Sequence, residues 1–97
     1  MIIVQDTFVC KPGNASKVAK LFKEAMAGNP NIANIMTDVT GQYHRVIIVS
    51  QFVDLAAYGK SLETMGNPPE ETKLAMKKME GIQDMYTSGS REVYRTW

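Results

Sequence analysis

Residues 32–53 read IANIMTDVTGQYHRVIIVSQFV, and the way this stretch folds decides the architecture. Two runs rich in β-branched residues, 32–40 and 43–53, flank a glycine at position 41. Such runs read as strands, and a glycine at the first central position of a two-residue connection suits a type II′ hairpin turn. The register then sets Thr40 opposite Tyr43, Val39 opposite His44, Asp38 opposite Arg45, Thr37 opposite Val46 and Ile35 opposite Ile48. Side chains alternate along a strand, so the hairpin has two faces. One carries Ala33, Ile35, Thr37, Val39, His44, Val46, Ile48, Ser50 and Phe52. It is the more apolar, with small residues where a helix can sit close, and is assigned to the helices. The other carries Asn34, Met36, Asp38, Thr40, Tyr43, Arg45, Ile47, Val49, Gln51 and Val53. Met36, Ile47, Val49 and Val53 make it greasier than a solvent-facing sheet usually is. That mixture fits burial against a second copy, with a cavity left between; a one-residue slip would exchange the faces.

Upstream, residues 2–10 (IIVQDTFVC) read as a strand ended by Lys11-Pro12-Gly13. Asn14 or Ser16 can cap a helix whose Val18, Leu21, Phe22, Ala25 and Met26 share one face, with Gly28 and Pro30 as its stop. Downstream, Asp54 caps a helix over 55–65, with Val53 and Tyr58 at the staple positions and Leu55, Tyr58, Leu62 and Met65 as its expected buried stripe. Asn67-Pro68-Pro69-Glu70 signals a helical restart running to about Glu80, and Gly81 stops it. Arg91–Trp97 alternates like a strand, with Ser88-Gly89-Ser90 expected either to bend or bulge it or to separate it from an irregular lead-in. The order βαββαβ predicts a single α+β domain over 1–97: a ferredoxin-like, four-stranded antiparallel sheet with helices on one face.

Composition narrows the function classes. The chain has 97 residues, enough for one core, and 11 Lys+Arg against 10 Asp+Glu give a net charge of +1. Domains that bind by neutralising phosphates usually carry a clear basic excess, so no nucleic-acid partner is expected. The single cysteine, Cys10, excludes an intrachain disulfide and a multi-thiolate metal site. The longest apolar run, Val46–Val49, is far too short to span a bilayer, and the N-terminus lacks a basic, cleavable leader, so no membrane partner is expected and a reducing cytoplasm is the expected setting. No phosphate-cradling glycine loop, HExxH, CxxC or paired-carboxylate signature is present, and no metal or cofactor is expected.

Three segments carry a family resemblance. They are Phe8-Val9-Cys10-Lys11-Pro12-Gly13 before the first helix, Ser50-Gln51-Phe52-Val53-Asp54-Leu55-Ala56-Ala57-Tyr58 leading into the second, and Ser88-Gly89-Ser90-Arg91-Glu92-Val93-Tyr94-Arg95 in the tail. Together with the element order they resemble the dimeric α+β barrel superfamily, nearest its antibiotic-biosynthesis-monooxygenase-like and NIPSNAP-like domains. The resemblance implies a homodimer closed through the open sheet faces into an α+β barrel. It also implies a small molecule, aromatic compounds included, bound between sheet and helices without a tightly held cofactor. A cofactor-independent monooxygenase acting on phenols or quinols is the alternative, and a structural or accessory dimer the second.

Within that frame Met36, Asp38, Tyr43, Arg45 and Gln51 are the expected ligand-lining residues, and His44, Asp38 and Arg45 the candidate catalytic ones. His44, the only imidazole, could serve as a base or an axial haem ligand, or be an ordinary half-exposed strand residue. Haem-degrading relatives hold iron with a helical histidine, which neither helical region here supplies. Asp38 and Arg45 are either an exposed ion pair or cavity groups, with Arg45 steadying an anionic or phenolate substrate. Tyr43, Tyr94, Trp97, Arg91 and Arg95 suit subunit contacts, a C-terminal anchor or a cavity mouth. Asp6, poorly suited to a strand interior, faces either solvent or a polar cavity. Cys10 reads as a small buried hydrophobe, Met26, Met65, Met76 and Met79 as core filler or a pliable pocket lining, and Lys17, Lys20 and Lys23 as a solvated helix face.

Overall fold

The structure, a computed structural model, describes residues 1–40, 43–66 and 81–97, together with 73, 74 and 77. Its strands are β1 (Ile2–Cys10), β2 (Ile32–Thr37), β3 (Arg45–Phe52) and β4 (Tyr86–Arg95). Its described helices are α1 (Ala15–Ala25) and α2 (Leu55–Gly66), and a single 3-10 turn, Ile82–Asp84, precedes β4. The sheet is antiparallel throughout, in the order β2-β3-β1-β4. This is the expected ferredoxin-like α+β arrangement, with both described helices on one face. The expected restart at Asn67–Glu70, the turn at Gly41-Gln42 and the side chains of Met65, Met76 and Met79 lie outside the described residues, as does the expected helix to Glu80 apart from Lys73, Leu74 and Lys77, which are helical.

The hairpin register is as the sequence predicts from Asn34 onward: Ile35 pairs with Ile48 and Thr37 with Val46. Beyond Thr37 the ladder gives way to Asp38, whose Oδ1 accepts the Arg45 backbone N–H at 3.1 Å. The strands are therefore shorter than the runs 32–40 and 43–53 suggest. His44 turns the chain with φ +63°, and its carbonyl accepts the Cys10 N–H at 2.7 Å. Two positions depart from the expected helix-side face. A bulge between Ile32 and Asn34 lets Ile32 pair with Ser50, so Ile32 packs on the core and Ala33 is exposed. Val39, past the end of the ladder, is fully exposed.

The helix-facing side of the sheet holds two clusters. Cys10, Val46 and Ile48 meet Val18 and Phe22 of α1 and Ile82 of the 3-10 turn. Phe8 joins them, its ring 5.1 Å from those of both Phe22 and Tyr86. Ile2, Val4 and Phe52 form the second cluster under Ala57 and Tyr58 of α2. The α1 stripe is as predicted, though Asn14 stands at the cap position without a side-chain cap bond. Asp54 does cap α2, its Oδ1 accepting the Ala57 N–H at 2.8 Å. The expected staple is absent: Val53 is exposed, and Tyr58 packs on Phe52 instead, centroids 5.2 Å apart. The expected α2 stripe is also corrected. Leu55 and Leu62 are exposed, while Ala57, Tyr58 and Ser61 turn toward the sheet. Packing of Ala57 and Tyr58 on Ile2, Val4 and Phe52 turns that side of the helix inward.

β4 begins earlier than the alternation at Arg91 indicates, and its irregularity lies opposite Val9 and Cys10 rather than at Gly89. Gly89 is a regular strand residue paired with Phe8, and the Phe8 ring covers it: an added Cβ would sit 3.4 Å from that ring, an ordinary contact. Gly81 differs, holding φ +90° in open space. Gly81→Ala is therefore expected to cost about 1 kcal/mol through left-handed backbone strain, and Gly89→Ala to be neutral or slightly stabilising. Paired urea melts check the contrast.

No described element covers the opposite sheet face. It presents Ile3, Val9, Met36, Ile47, Val49 and Tyr94 among Gln5, Thr7, Arg45, Gln51, Ser88, Ser90 and Glu92.

Candidate functional site

A cleft of about 490 Å³ opens where the two core clusters fail to meet, between the helix-facing side of the sheet and α2. Its floor is Val4, Ile48, Ser50 and Phe52, and Ile32 and Met26 close one end. Ala57, Tyr58, Ser61 and Leu62 of α2 form the wall. The gap follows from residue size: Ser50 interrupts the β3 run of Val46, Ile48 and Phe52, and α2 turns the small Ala57 and Ser61 toward it, with Leu62 at its exposed edge.

The polar end of the cleft is built by β1 and β4. Asp6 continues the helix-facing series Ile2, Val4, Phe8 and Cys10, so strand alternation aims its carboxylate at the helices. Antiparallel pairing places Arg91 directly beside it. Arg91 Nε donates to Asp6 Oδ1 at 2.6 Å; the Asp6 side chain is 17% exposed and that of Arg91 44%. The hydrogen bond to Asp6 raises the guanidinium further above its ordinary value, against some desolvation, with Tyr58 of α2 adding to the same effect. The guanidinium is thus a fixed cation, and the carboxylate holds its orientation.

The predicted site residues are divided by the fold. Asp38 and Arg45 are cross-strand partners as expected, with Arg45 Nε donating to Asp38 Oδ2 at 3.4 Å. Asp38, Tyr43 and His44 also line a second hollow of about 260 Å³, between the hairpin end and Ala15 and Ser16 at the start of α1. Met36 and Gln51 lie on the uncovered sheet face, opposite Ile47 and Ile3 respectively. None of Met36, Asp38, Tyr43, Arg45 and Gln51 lines the larger cleft. On the uncovered face Tyr94 donates its hydroxyl to Glu92, which holds the phenol above its usual range. Cys10 is buried, and burial pushes its thiol up, away from the thiolate a nucleophile needs. Among the described residues no group of three or more His, Cys, Asp or Glu could hold a metal, and no described helix is long and apolar enough to cross a membrane.

The residues that make the polar end were only half visible in the sequence. Asp6 breaks an apolar alternation, which is a signal. Its partner stands 85 positions away and becomes identifiable only through the β1–β4 register.

No family model and no curated protein sequence matches the chain. Solved structures do. A NIPSNAP domain protein from Burkholderia xenovorans superposes with a TM-score of 0.79 at 11% identity, over 100% of this chain and 95% of that one. A NIPSNAP family protein from Agrobacterium tumefaciens gives 0.75 at 11% identity, over 97% and 90%. A protein from Deinococcus radiodurans described as a putative antibiotic biosynthesis monooxygenase gives 0.60 at 14% identity, over 100% and 93%. At such identities the likeness is one of fold, and the fold it establishes is the one the sequence resembles: that of the NIPSNAP-like and antibiotic-biosynthesis-monooxygenase-like α+β proteins.

Proposed function

We propose that the chain binds a small, largely apolar molecule in the cleft between sheet and helices, and that it does so as a dimer closed through the uncovered sheet faces. The observation that carries the first part is the cleft itself. Apolar walls with a few convergent polar groups are the usual make-up of a ligand site, and Asp6, Arg91 and Tyr58 converge here. The second part rests on Met36, Ile47 and Val49, neighbours on β2 and β3, with Ile3 and Val9 on β1 flanking them, on a face no described element protects.

An environment-sensitive apolar fluorophore tests the cleft. Saturable binding to the wild-type protein is expected, weakened about tenfold or more by Ser61→Trp, which places an indole in the cleft from a half-buried wall position. Circular dichroism controls for folding. Binding that ignores the Ser61 substitution would place the dye elsewhere and sink the reading. Oxygen uptake with a panel of hydroquinones then separates a binder from a cofactor-independent monooxygenase.

A further inference from the structure

The cleft runs across the whole sheet. It touches Ile32 on β2, Ile48 on β3, Val4 and Asp6 on β1 and Arg91 on β4. Four strands at their usual spacing make this a trough about 14 Å long. Val4, Ile48 and Ile32 make its middle apolar, and the Asp6–Arg91 pair lies toward its β4 end. That shape favours an elongated ligand with an apolar body and one polar head.

The charges decide the head. Among the described lining residues the charged groups are Asp6, Arg91 and Lys60, one acid and two bases. Asp6 is already committed to Arg91 through Nε. A guanidinium carries five N–H donors in a planar fork, so after Asp6 and Tyr58 have taken theirs the Nη groups still have donors to offer. The Arg91 side chain is nearly half exposed at the cleft, and meeting a ligand there breaks no buried contact. A cationic head would find the one acid among the described lining residues already paired with a base. A neutral head would leave the fork unused. A planar two-oxygen acid matches the fork edge-on and is attracted by the guanidinium charge.

Resting on the cleft reading above, we propose that the ligand is an elongated apolar monocarboxylate. Its acid group docks on the Nη groups of Arg91, and its body lies along Val4, Ile48 and Ile32. Asp6 is the positioning residue: from its fixed place in the β1 ladder it holds the guanidinium in one orientation.

Displacement of the bound fluorophore by decanoate, decanol and decylamine below their micelle concentrations tests this. Decanoate is expected to displace the dye at concentrations about tenfold lower than decanol, with decylamine weakest. Arg91→Met keeps the side-chain bulk, and is expected to abolish the tenfold advantage of decanoate over decanol. Equal displacement by decanoate and decanol in the wild-type protein would overturn the carboxylate proposal and leave the cleft reading standing. So would a decanoate preference that survives Arg91→Met. If neither compound displaces the dye, the cleft reading itself fails.

Discussion

An Ile48→Ala protein is expected to lose about 3 kcal/mol of unfolding free energy, within the 2–5 kcal/mol typical of buried isoleucine truncation. Ile48 is 2% exposed at the centre of the sheet, paired with Ile35 on one side and Asp6 on the other. It packs in the larger core cluster with Val18, Phe22, Val46 and Ile82, and also forms part of the cleft floor. Removing its outer carbons loses their burial and leaves space the strand ladder cannot collapse to fill, since neighbours on both sides hold the backbone. A domain of this size has only about 5–15 kcal/mol in hand. The melting temperature should fall by roughly 12–24 °C, and the urea midpoint should drop with its slope unchanged. A loss under about 1 kcal/mol, the size of an ordinary mild substitution, would show that the sheet centre is not where this fold is anchored.

Ile47→Glu, one residue earlier, is expected to act through a different quantity. Strand alternation puts Ile47 on the uncovered face, in the row Met36, Ile47, Thr7 and Ser90 near the middle of that face. In a lone molecule the new carboxylate would meet water and change folding little. Between two copies it would be buried without a partner, which costs several kcal/mol. Sedimentation at micromolar concentration should show a two-copy species for the wild-type protein. The variant should be a single-copy species with an unchanged circular dichroism spectrum, its association weakened by about a hundredfold or more. A wild-type protein that sediments as one copy would remove the barrel from the proposal. The cleft on the opposite face would be untouched, because no described residue of the uncovered face lines it.

The contrast between neighbouring residues 47 and 48 also marks what could be read in advance. Alternation along β3 and the hairpin register both came from short-range signals, and both agree with the structure from Asn34 to Thr37. Asp54 was legible as a cap because the bond it makes spans three residues. The misreadings occurred where something distant overrides the local pattern. The bulge at Ala33 shifts Ile32 onto the core. The α2 stripe was assigned from leucine spacing, yet the packing of Ala57 and Tyr58 on Ile2 and Val4 of the distant β1, together with Phe52, sets the rotation of that helix. The start of β4 was missed because its Thr-Ser-Gly-Ser segment has weak strand preference, and pairing with β1 alone makes it a strand.

The candidate site divides in the same way. Asp38 and Arg45 were found as a pair because seven residues and one hairpin separate them. Asp6 and Arg91 were each noticed, but not as partners.

What the sequence by itself determined is the element order, the two-faced sheet and the class of fold, since periodicity, capping and turn chemistry act within a few residues. The tertiary structure decided where the cleft lies and which charges meet in it. Those depend on the register of an edge strand against β1 and on the rotation of α2, which no short window of chain encodes.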